Sequence, residues 1–278
     1  MSSPIWFITG ASRGLGLEIA RAALQRGDSV VAAARDPKIV EQALGTHEQL
    51  LSVELDVTSQ KQIDESVALA LSRFGQIDIL VNNAGRGLVG AVEEASAEEV
   101  RSAFAVNVEG LLAVSRAVLP SMRKRRSGRV LNLSSVGGFS AWSGWGVYSA
   151  TKFAVEGLSE AMHAELLPLG IHVTVIEPGP FRTDFLSESS LGRSQQVIED
   201  YSATGGAARR WAEDSHLSQP GDPVKGAAAI LEIATTPAPP LRLQLGVECV
   251  QQVQDKLKLV AIELEKWKGL AESTEYDN

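Results

Sequence analysis

Hydrophobic positions follow two rhythms along this chain. Short solid apolar runs have the length of buried strands: Ile5 to Ile8, Val30 to Ala34, Leu50 to Leu55, Ile77 to Val81, Val130 to Leu133 and His172 to Ile176. Between them, apolar residues recur at helical spacing. Leu15, Ile19 and Ala23 share one face, as do Ile63, Val67, Ala70, Leu71 and Phe74. Val100, Phe104, Val108, Leu111 and Leu119 predict a long helix from about Ala97 to Met122 with those residues inward. Strands alternating with helices read as an α/β fold. Another helix starts near Tyr148, with Ala150, Ala154, Gly157, Ala161 and Ala164 as a stripe of small residues on its far side; that stripe can pack on the chain's own sheet or on a partner's helix. From about Phe185 to Gly221 the rhythm weakens, and residues 184–222 read as an irregular lid or binding loop. Val224 to Ala234 is a helix, Leu241 to Leu245 an alternating last strand, and Val250, Val253, Leu257, Val260, Leu264 and Trp267 a narrow apolar stripe on a charged terminal helix. The organisation is one domain over residues 1–246 and a helical extension over 247–278.

The turns between these elements carry the candidate chemistry. Thr9-Gly10-Ala11-Ser12-Arg13-Gly14-Leu15-Gly16 joins the first strand to the first helix. Glycines there let the backbone turn tightly and approach a phosphate, and the following helix N-terminus attracts the anion, so the turn reads as a dinucleotide-binding loop. At the end of the second strand, where an acid would hold an adenosine 2′-hydroxyl, stands Ala34, with Arg35 beside it and Arg13 in the glycine turn. Two cations and no carboxylate suit a 2′-phosphate, which favours NADP over NAD; Asp36 is the dissenting residue. Asn82-Asn83-Ala84-Gly85 ends the fourth strand, at the sheet edge where open α/β sheets bind ligands, although the two asparagines can equally serve to tie down the strand end. Asn107 lies mid-helix, where asparagine is a mediocre former, and needs either a structural hydrogen bond or a water-relay role to explain it.

Ser135 closes the fifth strand, and a Gly-rich turn leads into a helix carrying Tyr148 and Lys152. Four residues apart, the phenol and ammonium share a helix face. A fixed cation favours tyrosinate and is expected to lower the phenol's pKa from about 10 toward a useful general acid or base. Ser135 can offer the same substrate oxygen a second hydrogen bond.

Composition narrows the picture. The chain has 278 residues, 44% of them hydrophobic, and a formal charge of −8, which argues against nucleic acid or an anionic membrane as main partner. A single cysteine, Cys249, excludes an intrachain disulfide and fits a reducing compartment. No signal-peptide pattern opens the sequence and no apolar run reaches the ~18 residues of a membrane span, so a cytoplasmic location is expected. The four histidines show no metal-ligand spacing, and no metal is expected; a Gly-x-Ser-x-Gly elbow is missing, which disfavours a hydrolase.

The ordered set Thr9-Gly10…Gly14-x-Gly16, Asn82 to Gly85, Asn107, Ser135, Tyr148-x-x-x-Lys152 and Pro178-Gly179…Thr183 resembles the short-chain dehydrogenase/reductase family over residues 5 to 183. The resemblance implies a Rossmann-type, doubly wound, seven-stranded parallel sheet between two helical layers. It implies Asn107, Ser135, Tyr148 and Lys152 as catalytic residues. It implies cofactor contacts from Gly10, Ser12, Arg13, Gly14, Leu15, Gly16, Arg35, Asp56, Val57, Asn83, Ala84, Gly85, Tyr148, Lys152, Pro178, Gly179, Phe181 and Thr183. The implied reaction is hydride transfer between a nicotinamide, NADP before NAD, and a ketone, aldehyde or secondary alcohol. Trp142, Trp145, Phe185, Leu186 and Leu191 flank the site, so an apolar or aromatic substrate is expected. The rival reading is a catalytically silent nucleotide-binding regulator on the same fold. The family pairs its long helices across two-fold axes, which implies a homo-oligomer. The terminal helix is expected to fold back over its own edge strand, leaving a homodimer; if it crosses to a neighbour instead, it makes a homotetramer.

Overall fold

In the computed structural model, which describes residues 3–276, the apolar runs become strands and the periodic stretches become helices. In chain order the elements of the first half are β1 (Ile5–Thr9), α1 (Gly14–Gln25), β2 (Ser29–Ala34), α2 (Pro37–Leu44), β3 (Leu50–Glu54), α3 (Gln60–Phe74), β4 (Ile79–Asn82) and β5 (Gly87–Val89). There follow α4 (Ala97–Phe104), α5 (Leu111–Arg125), β6 (Gly128–Leu133), α6 (Gly146–Leu166) and β7 (Ile171–Pro178). The chain ends with β8 (Leu191–Arg193), α7 (Gly205–Asp214), α8 (Pro223–Thr235), β9 (Arg242–Leu245) and α9 (Val247–Glu272).

Seven strands form one parallel sheet in the order β3-β2-β1-β4-β6-β7-β9. Because both faces of the sheet are covered, its inner strands β1, β2 and β4 are mostly apolar runs, whereas the edge strands β3 and β9 carry Ser52, Glu54, Arg242 and Gln244. Trp6 and Ile8 of β1 face one core with Ile19 and Ala23 of α1 and Ile230 of α8, while Phe7 faces the other with Val67 of α3 and Val118 of α5. Helices on both sides complete the three-layer, doubly wound Rossmann-type fold. The order of the strands reverses between β1 and β4, and ligands of such sheets bind in the crevice at the carboxyl ends of the strands there.

The long helix expected from Ala97 runs to Arg125, but it is interrupted. Residues 105–110 widen into a π-helical turn centred on Asn107. The rotation moves the buried face. Ala103, Asn107, Gly110 and Val114 point inward, whereas Val100, Phe104, Val108 and Leu119 are only partly buried. A window of this helix is long and apolar enough, at a mean hydropathy of 1.4, to cross a membrane, contrary to the expectation that no such stretch exists. In the fold it packs on the sheet, with Val114, Val118 and Met122 fully buried.

Four elements, α2, β5, β8 and α7, were invisible to periodicity. Helix α2 is short and only Val40 of it is buried; Asp36 caps it, accepting from Lys38 N at 3.0 Å. Within residues 184–222, α7 forms, and β8 pairs in parallel with β5 across a hundred residues of chain. The terminal helix departs from the fold-back expected of it. Cys249 and Val253 bury against Val136 and Phe139, but every residue from Leu257 to Tyr276 is exposed, including Val260, Leu264 and Trp267. The edge strand β9 therefore meets only the root of α9, because the helix axis carries the rest away from the body.

Candidate active site

Gly10 and Gly14 both have positive φ, +66° and +57°, which L side chains rarely adopt, and this lets β1 turn directly into α1. The turn is fastened to β4. Thr9 Oγ1 accepts from Asn83 N and Ala84 N, each at 3.0 Å, and Asn83 Nδ2 donates to Thr9 O at 2.9 Å and Gly10 O at 3.0 Å. A side chain at Gly16 would collide with Asn83 and with the Gly10 carbonyl, so Gly16 serves the closure of the turn and does not line the cleft. The result is a cradle of backbone at the N-terminus of α1, which fits the diphosphate of a dinucleotide.

A single cleft of about 1160 Å³ opens over this cradle. It is lined by Gly10, Ser12, Arg13, Gly14 and Leu15 from the turn, Ala34 and Arg35 after β2, and Asp56 and Val57 after β3. Asn83, Ala84 and Gly85 after β4, and Pro178, Gly179, Phe181 and Thr183 after β7, complete the wall. Arg35 is exposed, and Arg13 reaches across the cleft mouth to Ser189, donating to its Oγ at 2.6 Å and its carbonyl at 3.1 Å. Asp56 accepts from Thr58 Oγ1 at 2.7 Å, and this bond, with the Thr58 N–H and the charge of Arg35, outweighs partial burial to hold its carboxyl below the ordinary value.

Ser135, Tyr148 and Lys152 line the same cleft where β6 gives way to α6. Ser135 Oγ accepts from Gly137 N at 3.0 Å, which fixes the hydroxyl at the strand end. Tyr148 is nearly closed off by Trp145, edge-on at 5.9 Å between ring centroids, and Phe185, tilted at 5.5 Å. Lys152 Nζ donates to Leu133 O at 2.7 Å and lies 5.8 Å from the centre of the Tyr148 ring. The expected lowering of the phenol's pKa is not what this geometry gives. Burial pushes the Tyr148 hydroxyl up to about 12, with Ser135 pulling weakly the other way, and burial pushes the Lys152 ammonium down to about 8 against the pull of Glu156. Desolvation wins because the ammonium is turned toward the Leu133 carbonyl and both groups are shut away from solvent.

Asn107 does not line the cleft. Its Oδ1 accepts from Arg86 N at 2.8 Å, and its Nδ2 donates to Arg86 O and Thr151 Oγ1, both at 2.9 Å. It ties the loop after β4 to α6, so the structural hydrogen bond is what the fold shows of the two explanations offered above. Asn82 is likewise structural, donating to Ser115 Oγ at 3.0 Å and Asn132 Oδ1 at 2.9 Å.

The wall beside Tyr148 holds Trp142, Trp145, Phe185 and Leu186 as expected, whereas Leu191 is buried behind it on β8. The wall also has residues that periodicity did not flag. Thr204, Ala207, Ala208 and Trp211 come from the start of α7, and Glu248 and Gln252 from the root of α9. A signal for the first group was present, since 204, 207, 208 and 211 are spaced as one helix face. The second group, on a helix read as an appendage, gave none.

Below Lys152 lies a buried ionic cluster, also unforeseen. Arg242 Nε stands 3.0 Å from Glu156 Oε2 and 3.6 Å from Glu177 Oε1. Burial and the charge of Glu156 push the Glu177 carboxyl up to about 7, against the hydrogen bond from Gln244 and the charge of Arg242. Cys249 Sγ donates to Glu177 O at 3.0 Å, joining the root of α9 to β7.

A phosphate cradle at the switch point of a parallel sheet, next to a buried phenol and amine, defines a dinucleotide-binding oxidoreductase. The comparisons make the class specific. The family profile described as short chain dehydrogenase matches residues 4–194. Oxidoreductase BOA17 of Botryotinia fuckeliana is 38% identical over 269 residues, covering 96% of this chain and 97% of that protein. The crystal structure of a short-chain dehydrogenase from Streptomyces avermitilis superposes with a TM-score of 0.92 at 41% identity, covering 99% of each chain. A serine dehydrogenase complexed with NADP+ (30% identity, 87% of this chain and 94% of that one) and a 3-ketoacyl-(acyl-carrier-protein) reductase of Brucella melitensis complexed with NADH (26%, 87% and 96%) each give a TM-score of 0.73. The chain belongs to the short-chain dehydrogenase family, and its cofactor is a nicotinamide dinucleotide.

Proposed function

We propose that this protein is an NADP(H)-dependent oxidoreductase that interconverts an apolar or aromatic ketone or aldehyde and the corresponding alcohol, with Tyr148 as the general acid/base. The observation that carries the reading is the convergence of Ser135, Tyr148 and Lys152 on one cleft that continues into the glycine cradle. A nicotinamide held in the cleft by the glycine turn and the residues after β4 and β7 would supply or accept the hydride. Ser135 and Tyr148 hydrogen-bond the substrate oxygen, and Tyr148 donates its proton when a carbonyl is reduced. A phenol held near 12 is protonated throughout the physiological range, so the resting form suits carbonyl reduction. Lys152, held near 8, is the group in this pair whose charge changes close to neutrality, and its ammonium favours the tyrosinate left after transfer. Asn107 supports the site from behind by fixing the Arg86 loop to α6.

Arg13 and Arg35 favour NADP, and Asp36, which left room for NAD, is engaged in capping α2. The four aromatic and aliphatic side chains beside Tyr148 support an apolar substrate, and the negative net charge weighs against nucleic acid as a partner. Association as a homodimer is part of the proposal, and two faces are exposed for it: the small-residue stripe of α6, Ala150, Gly157, Ala161 and Ala164, and the outer part of α9 from Leu257 onward.

Turnover of a panel of carbonyls with NADPH and NADH tests the activity. Tyr148→Phe is expected to lower kcat by at least about 100-fold, the scale of general acid/base catalysis. NADPH affinity by fluorescence titration should stay near wild type. A silent regulator would bind NADPH and reduce none of the panel, and near-normal turnover in Tyr148→Phe would remove the tyrosine from the mechanism.

A further inference from the structure

The segment that closes the far side of the cleft is held by one buried carboxylate. Glu94 lies in the short turn Val92–Glu94 before α4, and its side chain is fully buried. Its Oε2 accepts from Ala91 N at 2.7 Å and from Arg209 Nη2 at 2.5 Å; its Oε1 accepts from Ile198 N at 2.9 Å and Arg209 Nη1 at 3.3 Å. Two of these three partners, Ile198 and Arg209, belong to the segment 184–222 rather than to the body of the fold. Arg209 sits in α7 next to Ala208 and two residues before Trp211, residues by which α7 enters the cleft wall. The fit around the carboxylate is close. A methyl group on Gly205, the first residue of α7, would come within 3.2 Å of Glu94 Oε2, and one on Gly90 within 3.1 Å of Arg209 Nη2.

Neighbouring acids fasten the same segment more loosely, Glu99 accepting from Gln195 N at 3.0 Å and Glu93 from Tyr201 Oη at 2.5 Å, both at exposed positions. Trp211, 45% exposed itself, meets Trp145 edge-on at 6.1 Å, and Trp145 in turn covers Tyr148. A path of direct contacts thus runs from Glu94 through Arg209 and α7 to the aromatic wall. Neither Glu94 nor Arg209 lines the cleft.

We propose that Glu94 is a positioning residue of this site: by gripping Arg209 and the Ile198 N–H it seats α7, and so sets the size of the apolar group accepted beside Tyr148. The proposal rests on the carbonyl-reductase reading for its substrate, but the seating of α7 can be measured without turnover. Large substrates need the Trp145–Trp211 wall and lose affinity when it loosens, whereas a small ketone bound only by Ser135 and Tyr148 does not.

The test compares full-length wild type, Glu94→Ala, Glu94→Gln, Arg209→Leu and the double variant Glu94→Ala/Arg209→Leu, each loaded with NADPH. The readouts are chymotrypsin cleavage at Tyr201 and Trp211, equilibrium binding of an aryl ketone, NADPH affinity, and kcat and KM for that ketone and for acetone. Losing a buried charged hydrogen bond predicts about a tenfold or greater rise in cleavage rate and in aryl-ketone Kd and KM. Acetone kinetics and NADPH affinity should stay within about twofold, and the double variant should be no worse than either single one, as expected of one shared interaction. Glu94→Gln keeps the shape without the charge and should shift the same readouts less, which covers the case of a misfolded Glu94→Ala. Unchanged cleavage overturns the proposal, as does faster cleavage with unaltered aryl-ketone binding. A uniform loss over both ketones and NADPH also overturns it, being the mark of a damaged body rather than a loosened wall. If wild type reduces no carbonyl, the activity reading fails, while cleavage and ketone binding still decide the role of Glu94.

Discussion

The proposed preference for NADP rests on Arg13 in the glycine turn and on two positions at the end of β2. Ala34 is buried and Arg35 exposed at the cleft mouth, so a carboxylate placed at 34 would lie where a ribose 2′-hydroxyl is held, and removal of the Arg35 charge would take away a partner for a 2′-phosphate. Ala34→Asp with Arg35→Ala is therefore expected to turn preference from NADPH to NADH by at least about tenfold in kcat/KM, since each charge-assisted hydrogen bond is worth roughly 1.5–3 kcal/mol. Steady-state kinetics with both cofactors check this; a wild type that already prefers NADH would contradict the assignment. At this scale the sequence was most legible where residue type and spacing dictate placement, as with the glycines of the turn and the four-residue step that brings both Tyr148 and Lys152 to the cleft. It was least legible where burial decides. The pKa of Tyr148 depends on how much of the ring Trp145 and Phe185 cover and on which way Lys152 turns, and neither is written in a local motif.

Among elements, the joint between α6, β7, β9 and α9 has the most to say about pH. Glu156 and Glu177 share the one guanidinium of Arg242, and Glu177 Oε1 has no hydrogen-bond partner among the described residues. Glu177 is raised to about 7 from an ordinary 4.5. Between those values the folded chain keeps a proton that the unfolded chain has released, so this group's contribution to stability falls as pH rises from about 4.5 to 7. Glu177→Gln removes the titration. The variant should gain on wild type progressively across that window and level off above pH 7, by about 1 kcal/mol or more, given 1.36 kcal/mol per unit of pKa. Urea unfolding of both proteins at pH 5, 6, 7 and 8 measures it, and parallel pH curves would contradict it. Glu94 behaves oppositely. Burial would raise it, but Arg209, Ile198 N and Ala91 N together hold its carboxyl below the ordinary value, so its grip persists at all pH values above that range and weakens only in acid. These joints could not be read from the sequence because each arginine lies 65 to 115 residues from the acids it holds. The π-helical turn at residues 105–110 escaped for a related reason: a simple 3.6-residue rhythm was continued through Asn107, whose bonds to Arg86 and Thr151 come from elsewhere in the fold.

For the whole molecule the open surface is α9. Val250, Val253, Leu257, Val260, Leu264, Trp267 and Ala271 follow a three-four spacing, the seam of a two-helix coil, and from Leu257 to Tyr276 every residue is exposed. Glu263 and Lys268 flank the seam five residues apart, the separation at which opposite charges meet across two parallel copies. A second copy of this chain is the expected occupant. Leu257→Lys with Leu264→Lys should lower the mass measured by light scattering by one level of assembly, with cofactor affinity unchanged. Equal masses would show that copies associate through another face, such as the α6 stripe, or not at all. The sheet and the crossing helices were legible from the apolar rhythm because every turn of them packs. The fate of α9 was not, because the rhythm gives the seam but not the direction in which the helix leaves β9.

That direction makes α9 a lever. Gln252, on the cleft wall, is five residues from the start of the helix and Trp267 is twenty, about 7.5 Å and 30 Å along the axis. A tilt about the first residue of the helix that moves Gln252 by about 1 Å sweeps Trp267 through about 4 Å, by the ratio of those lengths. Small adjustments of the cleft rim are thus magnified along the exposed part of α9.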